Sequence, residues 1–125
     1  MQYEKRPIYI QIADYLYEMI LSGKWADGER IPSIREMAVQ MEVNPNTMTR
    51  TYGLLQEQGV IYNKRGIGYF AADDANKMSA RIKKAEFIQE ELPDVFRKME
   101  NLSIDKEELT NLYLSYKKEN KDENK

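Results

Sequence analysis

Apolar residues recur at helical spacing near the N-terminus. Ile8, Ile12, Leu16, Met19 and Ile20 share one face, with Tyr9 and Ala13 beside them. Pro7 suits a first helical position, where its missing N–H costs nothing, and Gly23 suits an end. The spacing predicts a helix from about Pro7 to Ser22. After the turn signal Asp27-Gly28, Ser33 and Glu36 form the pattern S-x-x-E, a capping box that opens a second helix. Met37, Ala38 and Met41 are its buried face, and it ends near Glu42. Asn44 and Pro45 then start a third helix, which runs to about Gln58 with Gly59 as its stop. Met48, Thr51, Tyr52 and Leu55 face inward by spacing. Gly53 stands in mid-helix, where glycine costs roughly 1 kcal/mol against alanine. Close approach of DNA and close approach of another helix both account for it.

The period changes after Gly59. Val60-Ile61-Tyr62 and Tyr69-Phe70-Ala71 are short β-type runs, with Asn63 to Gly68 as a hairpin turn between them. From Met78 a second helical pattern begins. Met78, Ile82, Ala85, Ile88, Leu92, Val95, Met99 and Leu102 are spaced 4, 3, 3, 4, 3, 4 and 3 apart, a near-heptad seam. Pro93 is expected to kink or break it. Ile104, Asp105 and Glu108 signal a last helix from about Lys106 to Lys117 that buries Leu109, Leu112, Tyr113 and Tyr116. The expected organisation is a mainly α chain with a small β-hairpin wing. Residues 1–72 form a winged helix-turn-helix, 73–120 a two-helix dimerisation region, and 121–125 a frayed, charged tail.

Composition narrows the chemistry. The 125 residues include no cysteine and no histidine, which removes disulfides, thiol chemistry, the commonest general base and the commonest transition-metal ligand. No metal or cofactor is expected. Neither a secretory signal nor a membrane span is visible, so a cytoplasmic protein is the expectation. Net charge is −2, but it is unevenly spread. Residues 43–72 carry three bases (Arg50, Lys64, Arg65) and one acid (Glu57). Residues 1–42 carry five bases and seven acids, and residues 73–125 carry eleven and thirteen. The one net-positive block coincides with the third helix and the hairpin.

In a helix-turn-helix the second helix of the pair enters the major groove N-terminus first. Here that end presents Asn44, Asn46, Thr47, Thr49 and Arg50, side chains that bond base edges and phosphates. Asn46, Thr49 and Arg50 share a face at i, i+3 and i+4 and are assigned to bases. Arg50 can fork to guanine, and Asn46 can pair with adenine. Asn44 also serves as a cap. Arg35 opposes the dipole in the first turn of helix two, which an external phosphate explains; a surface salt bridge is the alternative. Lys64, Arg65 and Gly66 form the wing tip, where a glycine allows minor-groove approach and the basic pair holds phosphates.

The blocks PIYIQIADYL, GERIPSIREMA and VNPNTMTRTYGLLQEQGVIYNKRGIGYF, in this order and spacing, resemble the GntR family of bacterial transcription regulators. The resemblance covers about residues 7–72. It implies phosphate-contacting positions at Ser33, Arg35, Asn44 and Thr47, base reading by Asn46, Thr49 and Arg50, and minor-groove entry at Gly66. Better-known branches often carry arginine where this chain has Pro45 and Thr49, so base readout differs. Thr51 stands where alanine is usual. About 50 residues after the wing cannot hold the larger effector domains of other branches. The short region resembles the YtrA-type branch, which implies a homodimer joined through its last helices and frequent linkage to transporter operons.

The expected function is therefore a sequence-specific, homodimeric DNA-binding regulator, a repressor on a palindromic operator. Met78, Ile82, Ala85, Ile88, Leu92, Val95 and Met99 are expected at the dimer interface; packing within one chain is the alternative use of the same seam. Phe87, Phe96, Tyr113 and Tyr116 suit either an effector pocket or a core. No effector can be named from the sequence. A winged-helix module that binds protein without specific DNA readout is the second reading, and the modest overall charge is its support. Paired carboxylates, a nucleophile–base pair and a phosphate-cradling loop are all missing, so no enzyme is expected.

Overall fold

The computed structural model describes residues 5–123. Helix α1 spans Ile8–Leu21, α2 Ile34–Met41 and α3 Pro45–Glu57. Strands β1 (Ile61–Lys64) and β2 (Gly68–Ala71) form an antiparallel hairpin. Helix α4 (Ala75–Glu86) leads through a π-helical turn, Phe87–Glu91, into α5 (Leu92–Asn101), and α6 spans Lys106–Glu123. The chain divides into two compact units, the first ending at Lys83 and the second beginning at Lys84.

Local signals set the helix ends of the first unit. The Ser33–Glu36 capping box forms in both directions at 3.1 Å each way, satisfying two orphan N–H groups. Glu42 ends α2 in the left-handed region at φ 54°. The Val43 N–H donates to the Ala38 carbonyl at 3.0 Å, closing that end. Asn44 then caps α3, its Oδ1 accepting from the Asn46 N–H at 2.7 Å, with Pro45 following. The core gathers Ile12, Leu16 and Ile20 of α1, Met37 of α2, Met48, Tyr52 and Leu55 of α3, and Val60 and Ile61 at the hairpin's base.

The hairpin is longer than the apolar runs alone predict. Ile61 pairs with Ala71, Tyr62 with Phe70, Asn63 with Tyr69 and Lys64 with Gly68. The turn tightens to Arg65-Gly66-Ile67, closed by the Ile67 N–H on the Lys64 carbonyl at 2.9 Å. A further extended segment lies along β2. Arg30 bridges Phe70, the Ile31 N–H donates to the Tyr69 carbonyl at 2.9 Å, and the Ala71 N–H donates to Glu29 at 2.8 Å.

The C-terminal half departs from expectation in several places. The first compact unit continues beyond residue 72 to Lys83, because the first turns of α4 belong to its core. Ala75 is buried there, and Met78 and Ile82 pack against it. Those two seam positions thus already have partners within their own chain. Pro93 does not break the helix. Proline has no N–H for the preceding turn, and the helix widens ahead of it, with the Leu92 N–H donating five residues back to Phe87. Helix α6 continues to Glu123, so residues 121–123 of the expected frayed tail are helical; 124–125 lie outside the described residues. The predicted inward face of α6 is open in the single chain, from 38% exposed at Leu109 to 62% at Tyr116.

Candidate nucleic-acid interface

Helix α3 is held on one side and open on the other. Met48, Thr51, Tyr52 and Leu55 are all buried. The Tyr52 hydroxyl donates to the Pro32 carbonyl at 2.6 Å, and its ring meets Tyr69 edge-on at 5.0 Å. One side chain thus ties α3 to the entry of α2 and to β2. Burial, and after it the charge of Glu36 and the neighbouring Tyr69, push the Tyr52 phenol above its usual pKa. The Thr51 hydroxyl lies 2.9 Å from the Tyr9 carbonyl in α1 and 3.2 Å from the Thr47 carbonyl. Alanine at position 51 would supply no such tether.

The opposite face carries Asn46, Thr49 and Arg50, all exposed, and Gly53 continues it. The sequence spacing and the folded helix agree on this row. Thr49 donates its hydroxyl proton to the Pro45 carbonyl at 2.9 Å, keeping its oxygen available as an acceptor. Arg50 stacks over Tyr9, with Cζ 4.2 Å from the ring centroid. Thr47 is half-buried beside the exposed cap residue Asn44. A Cβ built on Gly53 meets nothing within 4 Å, so no contact within the described chain requires glycine there.

Ser33 sits at the start of α2, engaged in its capping box. Those hydrogen bonds hold the Glu36 carboxyl below its usual pKa, the Ser33 backbone contributing most, then the Ser33 side chain; nearby Arg30 adds to them. Arg35 is exposed, and among the described residues no carboxylate pairs with it.

On the wing, Tyr62 and Phe70 stack across the strands at 5.7 Å. Lys64 lies over them, its Nζ 4.7 Å from the Phe70 centroid. Arg65 and Gly66 form the exposed tip, where Gly66 takes φ +80°. Arg30 joins this cluster, and sequence reasoning passed it over. Its guanidinium lies against Gly68, the cross-strand partner of Lys64; a Cβ on Gly68 would sit 3.1 Å from Arg30 Nε. The absence of a side chain at Gly68 thus makes room for a cation 38 residues earlier.

Among the described residues no helix is long and apolar enough to cross a membrane. The proposed interface residues of the C-terminal half divide by exposure. Met78 and Ile82 line the first core, Leu92 and Met99 are half-buried, and Ala85, Ile88 and Val95 are exposed.

Comparison with known proteins places this geometry. Residues 8–70 match the family described as bacterial regulatory proteins, gntR family. The HTH-type transcriptional regulator YhcF of Bacillus subtilis (strain 168) is 36% identical over 104 residues, covering 83% of this chain and 84% of that protein. The HTH-type transcriptional repressor YtrA of the same strain is 38% identical over 69 residues, 55% of this chain and 53% of YtrA. Among solved structures, a GntR-family transcriptional regulator from Bacteroides thetaiotaomicron superposes with a TM-score of 0.79 at 41% identity, over 91% of this chain and 99% of that one. The DNA-binding domain of AraR in complex with operator ORR3 superposes with a TM-score of 0.53 at 29% identity, over 58% of this chain and 87% of that one. These relatives are transcription regulators, not enzymes. The chain belongs to the gntR family of bacterial regulatory proteins, in its short YtrA-type branch, and is a DNA-binding winged helix-turn-helix regulator of transcription.

Proposed function

We propose that the chain acts in the cytoplasm as a homodimeric repressor on a palindromic operator. The observation that carries this reading is the outward row Asn46, Thr49 and Arg50 on a helix whose other face is buried. Each α3 reads one half-site in the major groove, with half-site centres about one DNA turn (~34 Å) apart or a multiple of it. Ser33, Arg35, Asn44, Thr47 and Lys64 hold phosphates, and Arg30 joins them from beside the wing. Arg65 and Gly66 enter the minor groove. The AraR domain bound to its operator supports the docking mode by likeness of fold.

Dimerisation runs through the second unit. The exposed apolar side chains there, Ile88, Val95, Phe96, Leu112 and Tyr116 among them, support this. The controlled genes are proposed to be a transporter operon that includes the regulator's own gene. Footprinting on the DNA upstream of that gene tests the reading. A protected site with two-fold symmetry is expected, together with a dimer in sedimentation at micromolar concentration. Binding that ignores sequence, or a monomer, would overturn it.

A further inference from the structure

We propose that Tyr9 is the positioning residue for the base-reading Arg50. Its ring holds the guanidinium in the orientation used on DNA. The inference rests on the operator reading above and adds to it a residue of α1, outside the helix-turn-helix.

Three observations carry it. The Arg50 Cζ lies 4.2 Å from the Tyr9 ring centroid, well inside cation–π range. A guanidinium lying flat on an aromatic ring keeps its N–H donors free at the edge, the side by which arginine forks to a guanine. Second, Tyr9 is itself anchored to the helix it serves. Its carbonyl is bonded by the hydroxyl of buried Thr51, the residue next to Arg50. The Tyr9 backbone is thereby tied to α3 beside Arg50. Third, the holder is uncharged. Among the described residues no carboxylate pairs with Arg50. A carboxylate would order the side chain as well, but it would offset the positive charge and repel the phosphates beside the base. An aromatic face orders the arginine without either effect. Ordering before binding lowers the conformational entropy lost on the operator, so affinity for the correct sequence rises.

The test uses the full-length protein, a duplex carrying the footprinted operator and a scrambled duplex of equal length, at one salt concentration. Tyr9→Leu is expected to weaken operator binding about 3- to 10-fold. It leaves scrambled-DNA binding and the salt slope unchanged, while Tyr9→Phe binds as wild type. In an Arg50→Ala background, Tyr9→Leu has no further effect. Equal weakening on both duplexes, or full additivity with Arg50→Ala, overturns the positioning role.

An NMR measurement on the unmutated protein keeps the question open to refutation if Tyr9→Leu does not fold. The Arg50 Nε–H resonance, assigned by its loss in Arg50→Lys, is expected to keep its aromatic ring-current shift in the operator complex. Loss of that shift on binding means that the stack is broken on DNA and sinks the proposal. If Arg50→Ala retains full sequence preference, the operator role of Arg50 fails, and the role of Tyr9 falls with it. If Arg50→Ala loses preference and Tyr9→Leu does not, only the Tyr9 inference fails.

Discussion

The Tyr52 hydroxyl on α3 donates to the Pro32 carbonyl just before α2, 2.6 Å away. The two residues are 20 positions apart, and their bond ties α3 to the segment that enters α2. Tyr52→Phe leaves the part-buried Pro32 carbonyl without this partner and is expected to cost about 0.5–1.5 kcal/mol. Chemical denaturation measures it.

The same phenol makes stability depend on alkaline pH. Its folded pKa is raised above the ordinary tyrosine value, so the native state holds the proton more tightly than the unfolded chain. The contribution is complete below about pH 10 and is lost as pH rises through the folded value. Between those points the wild type should lose about 1.4 kcal/mol per pH unit relative to Tyr52→Phe. Parallel denaturation series from pH 8 to 11 would reveal the diverging slopes.

The capping box at α2 gives the opposite sign at acid pH. Glu36 has a lowered carboxyl pKa through its hydrogen bonds with Ser33. Its stabilising effect is present above the unfolded carboxylate pKa and fades as pH falls through the folded one. Glu36→Gln should therefore flatten the acid limb of a melting-temperature profile. Ser33→Ala should flatten it as well and cost about 1 kcal/mol at neutral pH.

Gly53 separates folding from binding. Nothing lies within 4 Å of the Cβ position, and the helix is regular there. Gly53→Ala is expected to stabilise the protein by about 0.5–1 kcal/mol in thermal melts. Gly53→Glu should fold normally but fail to shift operator DNA, because it places a negative charge one turn along the face of Arg50. Retained operator binding by Gly53→Glu would remove α3 from the groove.

Arg30 and Gly68 act as a pair on the wing. Arg30→Ala should weaken binding to all sequences about equally and reduce the salt slope by about one, as should Lys64→Ala. Arg50→Ala should instead erase sequence preference. Gly68→Ala forces a side chain into φ +146° and against the Arg30 guanidinium. It is expected to cost about 1–3 kcal/mol of stability and to displace Arg30. Titrations at several salt concentrations check all four variants.

The elements that sequence reasoning placed well are those set by neighbours in the chain. The S-x-x-E box, the Asn44-Pro45 start and the inward row of α3 depend on contacts within four residues, so their signals survive in one dimension. The outward row Asn46, Thr49 and Arg50 follows from the same helical period. Arg30 escaped notice because nothing in its immediate sequence marks it; it matters only where the chain returns beside Gly68. The strand-like segment at Glu29–Ile31 escaped for the same reason, since β2 supplies its partners.

By itself, then, the amino-acid sequence determined the helix boundaries of the first unit, the hairpin, the exposed face of α3 and the family resemblance. All of these rest on local hydrogen bonding and on apolar period. Tertiary packing alone decided the Tyr9 stack beneath Arg50, the Thr51 tether and the place of Arg30. It also carried the first compact unit on to Lys83, because Met78 and Ile82 found buried partners in its core. A periodic apolar stripe states that one face seeks cover. Which surface covers it depends on distances between residues far apart in the chain, and only the folded packing sets those distances.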